Sequence, residues 1–177
     1  VGEIEQIRDK YNFDQSITNY FRRIKRKTAL LIAASCQLGA IAANVPSHLQ
    51  KKLYYFGYYA GMAFQITDDI LDFTSTEEKL GKPVGGDLLQ GNITLPVLFA
   101  MKDPELKQKI STVHELMDPD ELHNIIQLII NTDAIQKSNQ ICTMYLNKAY
   151  EMLSDLPEND TKLMLKTMLN FIGKRNF

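Results

Sequence analysis

The stretch GMAFQITDDILDF, Gly61 to Phe73, decides how the chain is read. It sets three carboxylates, Asp68, Asp69 and Asp72, among residues that are mostly apolar. In a helix Asp68 and Asp72 project from one face, one turn apart, with Asp69 about 100° round the axis. Like charges at that spacing oppose the helix by roughly 0.2–0.5 kcal/mol per pair, and unpaired burial costs several kcal/mol more. A cation removes the conflict. Carboxylate oxygens are hard ligands, and Mg²⁺ takes one or two of them from protein while waters and substrate phosphates complete its octahedron. Gln65, one turn earlier on the same side, adds an amide. The bland alternative is a helix start with Thr67 as its cap. The helical pattern begins far upstream, near Gln50, so the aspartates fall toward the C-terminal end of that helix, where the macrodipole disfavours them. The pattern therefore points to a metal-bridged phosphate site.

Upstream of the trio, a long helix is expected from His48 or Leu49 onward. Its aromatic set, Tyr54, Tyr55, Phe56, Tyr58, Tyr59 and Phe64, covers more than one face and implies burial on most sides. Asn44 to Ser47 breaks the chain before it. A second helical pattern runs from Ile17 to Ala43, with Ser16 or Thr18 placed to cap it. Basic residues crowd its first half, Arg22 to Lys27, and Thr28 to Ser47 carries no formal charge. A membrane span needs about 20 predominantly apolar residues. Ser35, Gln37, Gly39, Asn44 and Pro46 shorten this one, so a buried soluble helix is expected. Val1 to Tyr11 is a charged amphipathic piece ending in a turn at Asn12 to Asp14.

Downstream, Thr74 to Pro96 reads as one long loop, broken by Gly81, Gly85, Gly86, Gly91 and Pro83. Loops of that length in compact domains are usually lids or binding loops. It brings Lys79, Lys82 and Asp87 directly after the carboxylates, without a strict Walker pattern. Leu95 to Met101 resumes an apolar helix, Asp103-Pro104 and Asp118-Pro119 mark helix starts, and Ser111–Asn131, Asp133–Ser154 and Asp160–Lys174 read as amphipathic helices. Strand signals are weak throughout. The expectation is a single all-α domain over residues 1–177, a helical bundle of about seven helices.

The chain has 177 residues and 45% hydrophobic content, which suits a globular core. Lys plus Arg is 20 against 21 for Asp plus Glu, a net charge of -1, so no bulk electrostatic attraction to nucleic acid is expected. Cys36 and Cys142 lack C-x-x-C spacing and suggest a reducing, cytoplasmic setting. His48, His114 and His123 are scattered without metal-ligand spacing. No basic-then-apolar leader pattern follows Val1, and a first residue other than Met suggests a fragment. An apolar, aromatic-rich wall, a carboxylate cluster suited to Mg²⁺ and a lysine-bearing loop together describe a substrate with a hydrocarbon body and a diphosphate head. Metal and lysines would stabilise the leaving diphosphate, and water exclusion would protect a reactive intermediate.

These residues resemble the trans-isoprenyl diphosphate synthases. FQITDDILD, Phe64 to Asp72, resembles the family's second aspartate-rich motif, KTA at Lys27 to Ala29 its diphosphate-binding Lys-Thr pair, and GKPVGGDLLQGNITLP, Gly81 to Pro96, the loop that follows the second motif. Ala149, Leu153, Leu156-Pro157 and Phe171-Ile172 are similar to its closing helices. The resemblance implies the C-terminal part of the isoprenoid synthase fold and chain elongation: loss of diphosphate from an allylic diphosphate, attack by isopentenyl diphosphate, then proton loss. It implies Asp68 as a direct Mg²⁺ ligand, Asp69 and Asp72 as ligands direct or through water, and Lys27, Gln65 and Lys82, with Thr28 beside them, as holders of the allylic diphosphate. Many members carry a second lid lysine where this chain has Asn92. The asparagine form resembles the catalytic component of two-component heptaprenyl diphosphate synthases, which make menaquinone side chains. Hexaprenyl and geranylgeranyl diphosphate synthases are the nearest alternatives, with a non-catalytic partner subunit or a terpene cyclase half as readings from other classes. Partners implied are the two diphosphates and a homodimer or a small non-catalytic subunit, with a product that associates with membrane. The family's first aspartate-rich motif and its isopentenyl diphosphate site do not occur between Val1 and Phe177. The chain is therefore expected to be the C-terminal half of a synthase, inactive alone.

Overall fold

A computed structural model describes residues 2–76 and 84–174. Lys79, Gly81, Lys82 and Pro83, to which the sequence assigns a lid, lie outside the described residues. Within them every regular element is helical, as expected. After α1 (Gly2–Arg8), helix α2 (Ile17–Ile24) starts where Ser16 Oγ accepts the Asn19 N–H at 3.2 Å, which supplies one of the orphan partners of a helix start. The pattern read as one helix from Ile17 to Ala43 is interrupted. Lys25–Ala29 forms a π-helical segment before α3 (Leu30–Ala42), a wide turn of the kind frequent at functional sites. It contains both Lys27 and Thr28.

Helix α4 (Ser47–Thr74) is the axis of the fold, 28 residues or about 42 Å at the usual rise. It begins one residue from the expected start and carries the aspartates in its last two turns. From Phe56 to Phe73 most of its residues are buried, so apolar side chains occur all round it. Helix α3 packs along one flank, where Gly57 and Gly61 remove side chains from the contact: a Cβ on Gly61 would stand 2.8 Å from Ala29 Cα. The burial expected of this uncharged stretch is only partial: Ala33 and Ala40 are buried, whereas Leu31, Leu38 and Ile41 are exposed. No helix among the described residues is long and apolar enough to cross a membrane.

The expected long loop is only partly a loop. Gly85 and Gly91 adopt φ of 72° and 81°, a region open to glycine at little cost, and between them lies a short α5 (Gly86–Leu89). Ile93 and Leu95 are fully buried, so the segment's second half is core leading into α6 (Leu95–Ala100). Asp103 caps α7 (Pro104–Ile110). The helix expected over Ser111–Asn131 is shorter, α8 (Pro119–Ile130), because Asp118 caps it and Pro119 occupies its first turn. Helix α9 (Ala134–Met152) covers the other flank of α4, and α10 (Asp160–Gly173) closes over both. The buried Lys162 ammonium donates to the carbonyls of Ser154 and Leu156 and to Glu158, tying down the α9–α10 connection. The bundle thus divides into more and shorter helices than the sequence suggests.

Candidate active site

Asp69 is the centre of the site. It is 4% exposed; its Oδ2 accepts from the Tyr20 hydroxyl at 2.7 Å and its Oδ1 from the Gln65 side-chain amide at 3.1 Å. The Gln65 carbonyl oxygen in turn accepts from the Thr28 hydroxyl at 2.7 Å. One line of hydrogen bonds therefore joins α2, α4 and the π segment. Burial pushes the Asp69 carboxyl up to about 7; the Tyr20 and Gln65 hydrogen bonds and Arg23 oppose that rise, and the charge of Asp87 adds to it. Burial, then the neighbouring carboxylate, hold the Tyr20 phenol well above its ordinary range, so it remains a donor.

Lys27 and Arg23 bring positive charge from one face of the α2–π stretch. Lys27 Nζ donates to Gln6 Oε1 of α1 at 2.8 Å. The buried Arg23 guanidinium donates to Gln15 Oε1 at 2.7 Å and to the Ile93 carbonyl at 2.6 Å, and lies 5.6 Å from the Tyr20 ring centroid. These groups, with Gln65, Asp69, Asp87, Asn92 and Thr94, line a polar cavity of about 40 Å³.

The three aspartates do not share one task. Asp72 is fully buried; its Oδ2 accepts the Asp87 backbone N–H at 3.1 Å and its carbonyl accepts the Gly85 N–H at 2.8 Å. It anchors the start of α5. Asp68 is half-buried. Among the described residues no group of three His, Cys, Asp or Glu side chains is gathered closely enough to hold a metal alone. Mg²⁺ needs only one or two protein carboxylates, and a buried carboxylate whose desolvation its hydrogen bonds and Arg23 offset only in part is a donor that suits it. The residues present fit part of a metal site that waters and phosphate oxygens would complete.

The structure thus brings Lys27, Thr28, Gln65 and Asp69 together and places Asp72 behind them; Lys82 lies outside the described residues. Sequence reasoning missed Tyr20 and Arg23. The available signal was spacing, since residues 20, 23 and 27 fall on one helical face. One turn below the polar groups, an apolar groove of about 570 Å³ runs between α3, α4 and α10, lined by Ile32, Cys36, Phe56, Ala60, Phe64 and Met168 among others. Ile32 is one turn from Thr28, and Phe64 one turn from Asp68. A second cavity of about 560 Å³, between the end of α4 and α8, includes Phe73, Ser75 and His123 but none of the trio; charge and hydrogen bonding converge instead on the Asp69 side. The arrangement can bind a phosphate through lysine and a carboxylate-held cation while an apolar chain lies below it.

Comparison with known proteins bears on this arrangement. Over its whole length the chain is 56% identical to heptaprenyl diphosphate synthase component 2 of Bacillus subtilis, covering 51% of that protein. It is 56% identical over 176 residues to the protein of the same name from Geobacillus stearothermophilus, covering 55% of it. The crystal structure of heptaprenyl diphosphate synthase from Staphylococcus aureus superposes with a TM-score of 0.94 at 46% identity, over 99% of this chain and 56% of that one. The chain spans about half the length of the relatives it matches. With the sequence model for polyprenyl synthetase matching residues 1–131, and with an all-helical fold shared with a solved synthase, the chain belongs to the polyprenyl synthetase family.

Proposed function

We propose that the full-length protein containing this chain is a trans-polyprenyl diphosphate synthase, and that residues 1–177 supply the C-terminal half of its synthase fold. The observation that carries this reading is the hydrogen-bonded line Thr28–Gln65–Asp69–Tyr20, with Lys27 beside it and an apolar groove below. Asp68 and Asp69 would hold Mg²⁺, with Asp72 acting through water or through its anchorage of Asp87. The bound ion would offset charge on the diphosphate as it leaves. Lys27, Gln65 and Lys82 hold the allylic diphosphate, with Thr28 beside them. The allylic C–O bond breaks with its electron pair leaving on diphosphate. The double bond of isopentenyl diphosphate supplies the pair for the new C–C bond, and a proton is then lost. Phe64 and Ile32, at the top of the groove, exclude water where the carbon chain begins.

Similarity to proteins named heptaprenyl diphosphate synthase component 2 supports a heptaprenyl product and a second subunit; a homodimer is the other assembly proposed, and menaquinone side chains are the proposed use of the product. The reading places the enzyme in the cytoplasm, releasing a product that partitions to membrane. The experiment is turnover of farnesyl and isopentenyl diphosphates by the full-length protein with its partner subunit and its Asp68→Ala variant. A fall of about 10²–10³-fold is expected for loss of one electrostatic contact to the leaving group. Unchanged turnover refutes the assignment.

A further inference from the structure

Two side chains in the cavity beside Asp69 end in oxygens without a partner. Asn92 Oδ1 and Thr94 Oγ1 are buried and make no hydrogen bond; both residues are more than nine-tenths buried and line that cavity. An unsatisfied buried oxygen costs about 1–3 kcal/mol, and such groups are nearly always paired. The backbone that presents them is held. The Asn92 N–H donates to the Asp87 carbonyl at 2.8 Å, the Asp87 N–H donates to Asp72, and Arg23 donates to the carbonyl of the intervening Ile93. Ile93 itself is fully buried, so the pair is fixed facing the cavity.

The partner that Asn92 Oδ1 lacks is a donor, and the Thr94 hydroxyl, which can donate or accept, can accept from the same donor. An amide oxygen only accepts, and the walls already carry the Asp69 and Asp87 carboxylates. Diphosphate is an acceptor and gains nothing from that oxygen. The cavity of about 40 Å³ has room for one or two waters, each needing at least about 10–15 Å³. Water bound to a cation is a polarised donor, and residues that bind the ligands of a metal commonly tune its affinity. We propose that Asn92 and Thr94 are positioning residues whose side-chain oxygens accept hydrogen bonds from water ligands of the Mg²⁺ at Asp69. This rests on the reading of Asp69 as a metal-holding carboxylate given above.

The test is calorimetric titration of the full-length protein with Mg²⁺ alone, and with inorganic diphosphate at saturating Mg²⁺. Asn92→Leu and Thr94→Val should weaken Mg²⁺ binding by about 10–100-fold and leave diphosphate affinity at saturating Mg²⁺ unchanged. Asn92→Asp and Thr94→Ser, which keep an acceptor oxygen, should retain Mg²⁺ affinity; a merely structural role would not follow the oxygen in this way. If either larger change unfolds the protein, Thr94→Ala removes the oxygen without adding bulk. A loss confined to diphosphate affinity would overturn the proposal in favour of direct substrate contact, and wild-type Mg²⁺ affinity in all variants would overturn it outright. Asp69→Asn separates the two readings: if it leaves Mg²⁺ affinity intact, the metal site itself has been misplaced.

Discussion

Replacing Gly61 by alanine tests whether the α3–α4 contact sets the geometry of the site. The added Cβ would lie 2.8 Å from Ala29 Cα, 3.3 Å from Ala29 Cβ and 3.2 Å from Ile32 Cδ1, whereas ordinary contact begins at 3.4 Å. Ala29 is backbone of the π segment, so that segment must retreat by about 0.6 Å. Such overpacking costs about 1–3 kcal/mol. Alanine also gains about 0.8–1.0 kcal/mol of helix propensity over glycine, which masks part of the loss. Gly39→Ala in α3 supplies the control, because nothing lies within 4 Å of its added Cβ and it gains the same propensity. The difference between the variants isolates the clash: Gly61→Ala should be less stable than Gly39→Ala by about 1–3 kcal/mol, or about 2–12 °C in Tm for a chain of this size. Urea unfolding with unchanged m-values reads it directly. The displacement also carries Thr28 away from Gln65 and stretches their 2.7 Å bond to the edge of hydrogen-bond range. On the proposed function, the Michaelis constant of the full-length protein for the allylic diphosphate should therefore rise in Gly61→Ala and not in Gly39→Ala. Equal stability of the two variants would refute the packing argument, and a destabilised Gly61→Ala with an unchanged Michaelis constant would refute its link to the site.

Tyr20→Phe removes a hydrogen bond to a buried carboxylate and should cost about 1.5–3 kcal/mol in urea unfolding; a neutral result would show that the Tyr20–Asp69 contact contributes nothing. The Tyr145 phenol is pushed up to about 12, first by burial and then by Tyr58 and Tyr59. The unfolded phenol ionises near 10, so stability should be full below pH 10 and fall as pH rises toward about 12. Tyr145→Phe should shallow that fall, and an identical alkaline profile would count against it. Both thiols are raised by burial, but Cys142 is buried and paired with Thr67 while Cys36 is half-buried. A thiol reagent at about pH 8 should therefore label Cys36 slowly and Cys142 only on unfolding; equal rates would contradict the placement of Cys142.

Most of the helices were legible because apolar spacing and cap residues act locally. Ser16, Asp103 and Asp118 each mark a helix start through their own side chains, and α4 declares itself by its apolar run. The π segment was not legible: Lys25–Ala29 is compatible with an ordinary helix, and its wider turn is seen only where it packs beside α4. Ile93 was read as loop because Gly91 and Pro96 punctuate the sequence around it, yet it is core; tertiary burial overrode local turn signals there, while the apolar helix expected from Leu95 begins where expected. Tyr20 and Arg23 were missed for a related reason. A tyrosine before a basic run reads as a surface stripe until the fold places Asp69 opposite it.

The aspartate trio shows where spacing stops being informative. Spacing pairs Asp68 with Asp72 on one helical face and sets Asp69 apart, but it does not show their partners: Asp69 accepts from Tyr20 and Gln65 while Asp72 accepts from the backbone of Asp87. Desolvating one carboxylate is costly, and desolvating two against the same cavity would be more so. Asp72 is engaged by a backbone donor, whereas Asp69 lines the polar cavity. That division predicts opposite consequences for amide substitution. Asp72→Asn keeps an oxygen able to accept the Asp87 N–H, so it should preserve the loop and lower metal affinity only modestly. Asp69→Asn removes charge from the cavity itself, and should gain stability in metal-free protein while losing Mg²⁺ binding. If the two substitutions proved interchangeable in both respects, the separate roles drawn from their hydrogen bonds would be wrong.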